Sequence, residues 1–157
     1  MRHFLLAFFL SLFAVAAHAD EKQPMRLPVD KAPLVFETGK GKFSFAVEIA
    51  RSENERERGL MWRRDFPASR AMLFVFGETR RVMMWMENTP LPLDMVFLDA
   101  KGRVSAVRAD AVPFSQDIIS SGPPAAYVVE LVAGTARRDG IRPGDRAIHP
   151  AICGKCR

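Results

Sequence analysis

Histidine and cysteine are scarce in this 157-residue chain, which has three of the first and two of the second. Both cysteines, Cys153 and Cys156, fall near the end of the sequence, so no disulfide framework runs through the body of the protein. No glycine-rich phosphate loop, Gly-x-Ser-x-Gly elbow or His-Glu-x-x-His pattern occurs, and the chemistries those motifs carry have no foothold here. No apolar run reaches the ~20 residues that a membrane-spanning helix needs. The chain has 23 basic against 18 acidic residues, but the excess is scattered. It forms no basic stripe interleaved with aromatics, so no nucleic-acid partner is expected.

The longest apolar run, "FLLAFFLSLFAVAA" at residues 4–17, follows the short basic start Met1-Arg2-His3 and precedes "AHA" at residues 17–19. A basic start, a short apolar stretch and a small-x-small pattern are the marks of a secretory signal peptide. The expected cleavage lies between Ala19 and Asp20, which sends residues 20–157 to the periplasm or the medium without a membrane span. The alternative is a retained anchor. Of the basic residues only Arg2 lies in the leader, leaving 22 against 18 and a net charge of +4. The exported part has the length of a single domain and can bury a core without staples.

Residues 20–33, "DEKQPMRLPVDKAP", are polar and broken by prolines, and read as a linker or loosely packed arm. The folded domain is expected at residues 34–149, followed by a Cys-x-x-Cys tail at residues 150–157. "FSFAVEI" at residues 43–49 alternates strictly and predicts a half-buried strand. Ser52 and Glu55 have the spacing of a capping box, and Gly59 suits the end of the short helix it would open. "AMLFVF" (71–76), "VMMWM" (82–86), "MVFLD" (95–99), "RVSAV" (103–107), "YVVELV" (127–132) and the end of "IRPGDRAIH" (141–149) read as further strands. A second helical turn is expected at residues 135–139. The fold class is mainly β (α+β), a compact barrel-like or sandwich domain of six to seven short strands with two short helices.

Four blocks in order, "ERERGLMWR" (55–63), "AMLFVF" (71–76), "WMENTPLPLDMVFLDAKGRV" (85–104) and "AAYVVELVAGTARRDGIRPGD" (125–145), resemble the DUF192 family of uncharacterised bacterial and archaeal proteins. The resemblance runs over residues 43–148. It implies a small, mostly β, barrel-like domain, often exported, and no established activity. Relatives commonly carry lysine where this chain has Glu87, so an anion-binding role of that lysine does not carry over.

The stretch "WMENTPLPLDMVF" at residues 85–97 sets Glu87, Asn88, Thr89 and Asp94 between two apolar runs, with Pro90 and Pro92 stiffening the connection. These polar groups either satisfy a tight connection that dips into the core, or line a cleft beside Trp85 for a small polar ligand. In the second case Glu87 and Asp94 are acceptors, Asn88 and Thr89 orient, and Trp85 is an apolar wall. A third use is a hydrolase with Glu87 and Asp94 as acid and base. No nucleophile with its base stands nearby. Met61, Met72, Met83, Met84, Met86 and Met95 cluster in sequence around Trp62 and Trp85. They read as core filler, or as thioether ligands of a copper carrier. In the tail, Cys153 and Cys156 form a local disulfide, a metal-binding pair with His149, or a redox pair. The reading carried forward is an exported binding or accessory module rather than an enzyme, with no cofactor or resident metal.

Overall fold

The structure, a computed structural model, describes residues 22–154. The leader expected at residues 1–19 and Cys156 of the expected disulfide lie outside them. Among the described residues there are nine strands: β1 (Leu34–Thr38), β2 (Gly41–Ala50), β3 (Arg70–Arg80), β4 (Met83–Met84), β5 (Leu93–Leu98), β6 (Val104–Ala111), β7 (Ile119–Ser120), β8 (Ala125–Val132) and β9 (Arg146–Ile148). The helices are α1 (Glu53–Arg58), α2 (Thr135–Asp139) and α3 (Pro150–Cys153). Seven strands form one sheet in the order β6-β5-β8-β3-β2-β1-β9, and β4 pairs with β7 alone. The large sheet curls into a half-barrel whose two edges meet at the Arg103–Arg146 bridge. The mainly β, barrel-like class expected from the sequence is what the chain adopts, with two further strands, β1 between β2 and β9 and the short β7, and a third helix.

Alternation along the strands divides the apolar residues into two cores. Phe45 and Val47 of β2, Ala71 and Leu73 of β3, Val96 and Leu98 of β5, and Val129 and Leu131 of β8 fill the inside of the curl. Met72 and Phe74, Met95 and Phe97, and Val128 point to the other face. There they are covered by Leu60, Phe66, Val82 and Met86 from the connections after α1 and β3. β5 and β8 are therefore buried on both faces, which is why their sequences are nearly continuous apolar runs.

The covering layer follows from local chemistry. Ser52 accepts a hydrogen bond from the Glu55 amide at 3.2 Å while Glu55 Oε2 accepts from the Ser52 amide at 2.8 Å, the two halves of the expected capping box. Gly59 ends α1 with φ of +41°, and a Cβ there would stand 3.1 Å from the Phe74 ring. Glycine thus serves both the turn and the close approach of α1 to the sheet.

Within the stretch 20–33, expected as a linker or loosely packed arm, the described residues 22–33 make specific contacts with the domain. Val29 bridges Glu48, and the Leu27 amide donates to Glu48 Oε2 at 3.2 Å. Met25 and Leu27 pack on the outer core. Their prolines and charges hide two apolar side chains that find a surface only after the sheet has formed. The stretch 82–86, expected as one strand, keeps strand geometry only at Met83–Met84. Beyond it the Met86 amide turns away to the Ser115 carbonyl at 3.0 Å.

Candidate functional site

The outer face of the sheet carries a row of side chains in register: Glu48, Met72, Glu130, Met95 and Arg108, on β2, β3, β8, β5 and β6 in turn. Its two acids are treated differently. Glu48 is buried, with Arg63 donating to its two oxygens at 2.9 and 3.2 Å and Arg70 donating at 3.2 Å. Burial alone would raise its pKa, but the Arg63 and Arg70 guanidiniums outweigh that and hold it below the ordinary value. Arg63 is itself buried and lies over the Phe66 ring at 5.2 Å. Glu130 is 5% exposed and has no such partner. Its Oε2 is buried without any hydrogen bond, and desolvation between Met72 and Met95 pushes the carboxyl up to about 8. Burial thus favours its protonated form at neutral pH.

Glu130 lines a cavity of about 300 Å³. α1 supplies Glu53, Arg56, Glu57 and Arg58 to one side, while Phe74, Phe76 and Arg80 of β3 form another. Gly59, Leu60, Met61, Met83, Met84, Trp85 and Thr89 complete it. Arg56 and Arg80 both lie over the Phe76 ring, at 5.6 and 5.2 Å. A second cavity of about 610 Å³ adjoins it, lined by Trp62, Trp85, Glu87 and Asn88 together with Lys22, Asn54, Glu57, Arg58 and Met61. Trp85, Met61, Glu57 and Arg58 belong to both, so the two form one stepped recess with charged and apolar groups in each part.

The turn at residues 87–89 is held from two sides. The Trp62 amide donates to the Asn88 carbonyl at 2.7 Å, and the Phe114 amide to the Thr89 carbonyl at 3.1 Å. Trp62, Asn88 and Phe114 all have positive φ, at 63°, 55° and 60°. Together they make up three of the four such non-glycine residues among those described. Left-handed backbone at bulky side chains is unfavourable and tends to collect at functional sites.

Of the residues singled out in the sequence, Trp85, Glu87, Asn88 and Thr89 come together on this recess. Asp94 does not. It is fully buried on the other side of β5, where Oδ1 accepts from the Asp110 amide at 2.9 Å and Oδ2 from the Ala136 amide at 2.8 Å. It thereby satisfies the start of α2, whose N-cap Gly134 has no side chain to do so. The methionines divide likewise: Met72, Met86 and Met95 are core, whereas Met61, Met83 and Met84 line the inner cavity. His149 caps α3, its Nδ1 accepting from the Ala151 amide at 3.0 Å and its Nε2 standing 3.1 Å from the Ala32 carbonyl. Both ring nitrogens are thus engaged within the domain. No group of three or more His, Cys, Asp or Glu able to hold a metal occurs among the described residues.

Glu130 was not legible as a site residue from the sequence alone. Its signal is the lone charge in "YVVELV", on the face shared with Val128 and Val132, but strands often place such a residue in solvent.

Residues 35–149 match the DUF192 family, described as an uncharacterized ACR, and the chain belongs to it. Two solved structures are similar. One, from Sinorhizobium meliloti 1021 and provisionally described as a transcription regulator, is 44% identical, with a TM-score of 0.76 over 81% of this chain and 99% of its own. The other, a protein of unknown function from Novosphingobium aromaticivorans DSM 12444, is 31% identical, with a TM-score of 0.74 over 87% of this chain and 99% of its own. No curated protein matches. Among the described residues no helix is long and apolar enough to cross a membrane.

Proposed function

For this member of the DUF192 family we propose an exported binding module that takes a small polar ligand into the stepped recess beside Trp85. The observation that carries the reading is the unpartnered carboxyl of Glu130 at the floor of a cavity that opens past Trp85. A buried polar group without a partner is costly, and a site that receives a ligand is one reason to keep it. In the outer step, Glu87 and Asn88 offer an acceptor and an amide, while Trp62 and Trp85 offer ring faces. Export rests on the leader at residues 1–19, with cleavage between Ala19 and Asp20. In an oxidising compartment Cys153 and Cys156 would join as a local disulfide.

A binding role fits better than hydrolysis by Glu87 and Asp94, because both Asp94 oxygens are engaged by backbone amides at the α2 end of the sheet. The second reading, a soft-metal carrier, is favoured by one observation: three thioethers, Met61, Met83 and Met84, line the inner cavity with Trp85.

Native mass spectrometry of the mature protein, purified from the exported fraction without chelator or reductant, tests both. An extra organic mass that disappears in Trp85→Ala and Glu87→Gln supports the binding module. A copper mass lost on replacing Met61, Met83 and Met84 by leucine supports the carrier. A bare chain whose tryptophan fluorescence also ignores a panel of small polar metabolites overturns the proposal.

A further inference from the structure

Four carboxylates are buried in the described domain: Glu48, Asp94, Glu130 and Asp139. Glu48 is matched by Arg63 and Arg70, Asp94 by two backbone amides, and Asp139 by Arg138 at 2.7 and 2.8 Å. Only Glu130 keeps a buried oxygen with no partner, and it does so where the fold leaves a cavity rather than packing atoms. Its neighbours in register, Met72 and Met95, offer neither a proton nor a charge. A carboxyl in such surroundings stays neutral and presents an O–H.

The charges around it are few and can be named. α1 contributes Glu53, Arg56, Glu57 and Arg58 to the cavity, and β3 contributes Arg80. Glu48, two strands away on β2, is already neutralised. With Glu130 protonated, three guanidiniums and two carboxylates line the mouth, and Glu78 pairs with Arg80 at 3.2 Å, so the entrance is close to balanced and has no excess negative charge to draw in a cation. Two of those guanidiniums are held over Phe76. A cation would have to pass them and then lose its water beside a neutral acid, which is unfavourable on both counts.

We propose that the group a ligand delivers to this floor is an uncharged hydrogen-bond acceptor, a carbonyl or amide oxygen that receives the Glu130 O–H, and that an ammonium of the same size is rejected. This specifies the ligand chemistry of the recess and rests on the binding reading above. The apolar body of such a ligand would lie against Phe74, Leu60 and Trp85. Polar groups built to pair with a substrate discriminate strongly against analogues that leave them unpaired.

A matched pair of probes separates the possibilities: hexanamide and hexylammonium chloride, titrated at millimolar concentration into the mature protein from pH 6 to 9.5. Binding is read by tryptophan fluorescence and by the amide NMR signals of Thr89 and Glu130. Hexanamide is expected to bind, with an affinity that is flat at low pH and falls roughly tenfold per unit once Glu130 ionises. Glu130→Gln, whose amide still donates, should bind it without that pH dependence. Glu130→Leu should weaken it by roughly tenfold or more. Hexylammonium binding that tightens as pH rises, in the native protein but not in Glu130→Gln, would overturn the proposal by making Glu130 an anionic anchor. Hexanamide binding with a flat profile that survives Glu130→Leu would leave the recess as a site and remove Glu130 as its donor. If neither probe moves the Thr89 and Glu130 signals, this proposal fails, while the binding reading stands or falls separately on the native mass spectrum and the metabolite panel.

Discussion

Glu48 and Glu130 stand on one face of the sheet, joined in register through Met72, yet one is clamped by two arginines and the other touches none. The difference is topological. Glu48 sits on β2, where the connection after α1 passes over it and lowers Arg63 onto its carboxylate. Glu130 sits on β8, between β3 and β5, beneath the gap that α1, Trp85 and Thr89 leave open. One acid is part of how the cover is fastened, and the other is buried along the wall of the cavity that the cover leaves unfilled.

That contrast predicts how stability depends on pH. The folded-state pKa of Glu130 is raised from 4.5 to about 8, so its contribution is fully present below 4.5 and is lost as pH rises toward and past 8. The native domain should therefore lose up to about 3–5 kcal/mol between pH 5 and 9 from this group alone. Glu130→Gln should remove that decline and be the more stable protein at pH 9. Urea denaturation at intervals across this range measures it, and parallel curves for the two proteins would show that Glu130 is not the titrating group.

Arg63 should behave in the opposite way. Both its side chain and that of Glu48 are 1% exposed, and Arg63 provides two of the three guanidinium hydrogen bonds to that carboxylate. Arg63→Ala would leave Glu48 buried with Arg70 alone and should cost about 3–5 kcal/mol. The double replacement Arg63→Met with Glu48→Gln should recover much of the loss, because it removes the stranded charge as well as its partner. Chemical denaturation of the three proteins at pH 7 decides the point.

Gly59 links the helix to the cavity wall. Gly59→Ala would force a side chain into backbone of positive φ and against the Phe74 ring, and should destabilise by about 1–3 kcal/mol. Because Gly59 and Phe74 both line the inner cavity, the same change should also shift the fluorescence of Trp85. A thermal melt and an emission spectrum of one variant test both consequences.

How much of this was legible follows from the range of each signal. The Ser52–Glu55 spacing is local, and the structure reproduces it at α1. The alternation of residues 43–49 holds in β2 as far as Val47, but Glu48, on the face expected to be wet, is buried under Arg63. β1 is five residues long and too short to announce itself by period. Met25 and Leu27 are isolated apolar residues among prolines, and only the finished sheet gives them a surface. Glu130 could not be read as buried, because the position of β8 between β3 and β5 is a property of strand order that no window of sequence contains. For the stretch 85–94 the composition grouped Glu87 with Asp94 and could not separate them, since the turn at residues 87–89 and the burial of β5 send them to opposite sides.

Glu87 and Asp94 should accordingly part company when each is replaced. Glu87 is exposed, lines the outer step of the recess, and has no side-chain hydrogen bond among those described, so Glu87→Gln should leave stability within about 0.5 kcal/mol of the native value. Asp94 holds the Asp110 and Ala136 amides with its two oxygens in a fully buried position. Asp94→Ala would strand both donors and uncap α2, a loss of about 2–4 kcal/mol. Asp94→Asn can still accept from one amide while setting an N–H against the other, and should fall between. Ligand response should follow the reverse order, impaired by Glu87→Gln and retained by Asp94→Asn wherever the variant is folded. Thermal melts paired with tryptophan titrations of the three proteins test this separation. A stability loss at Glu87 as large as that at Asp94 would mean that the 87–89 turn is scaffold, and would move the ligand contacts inward to Thr89 and Glu130.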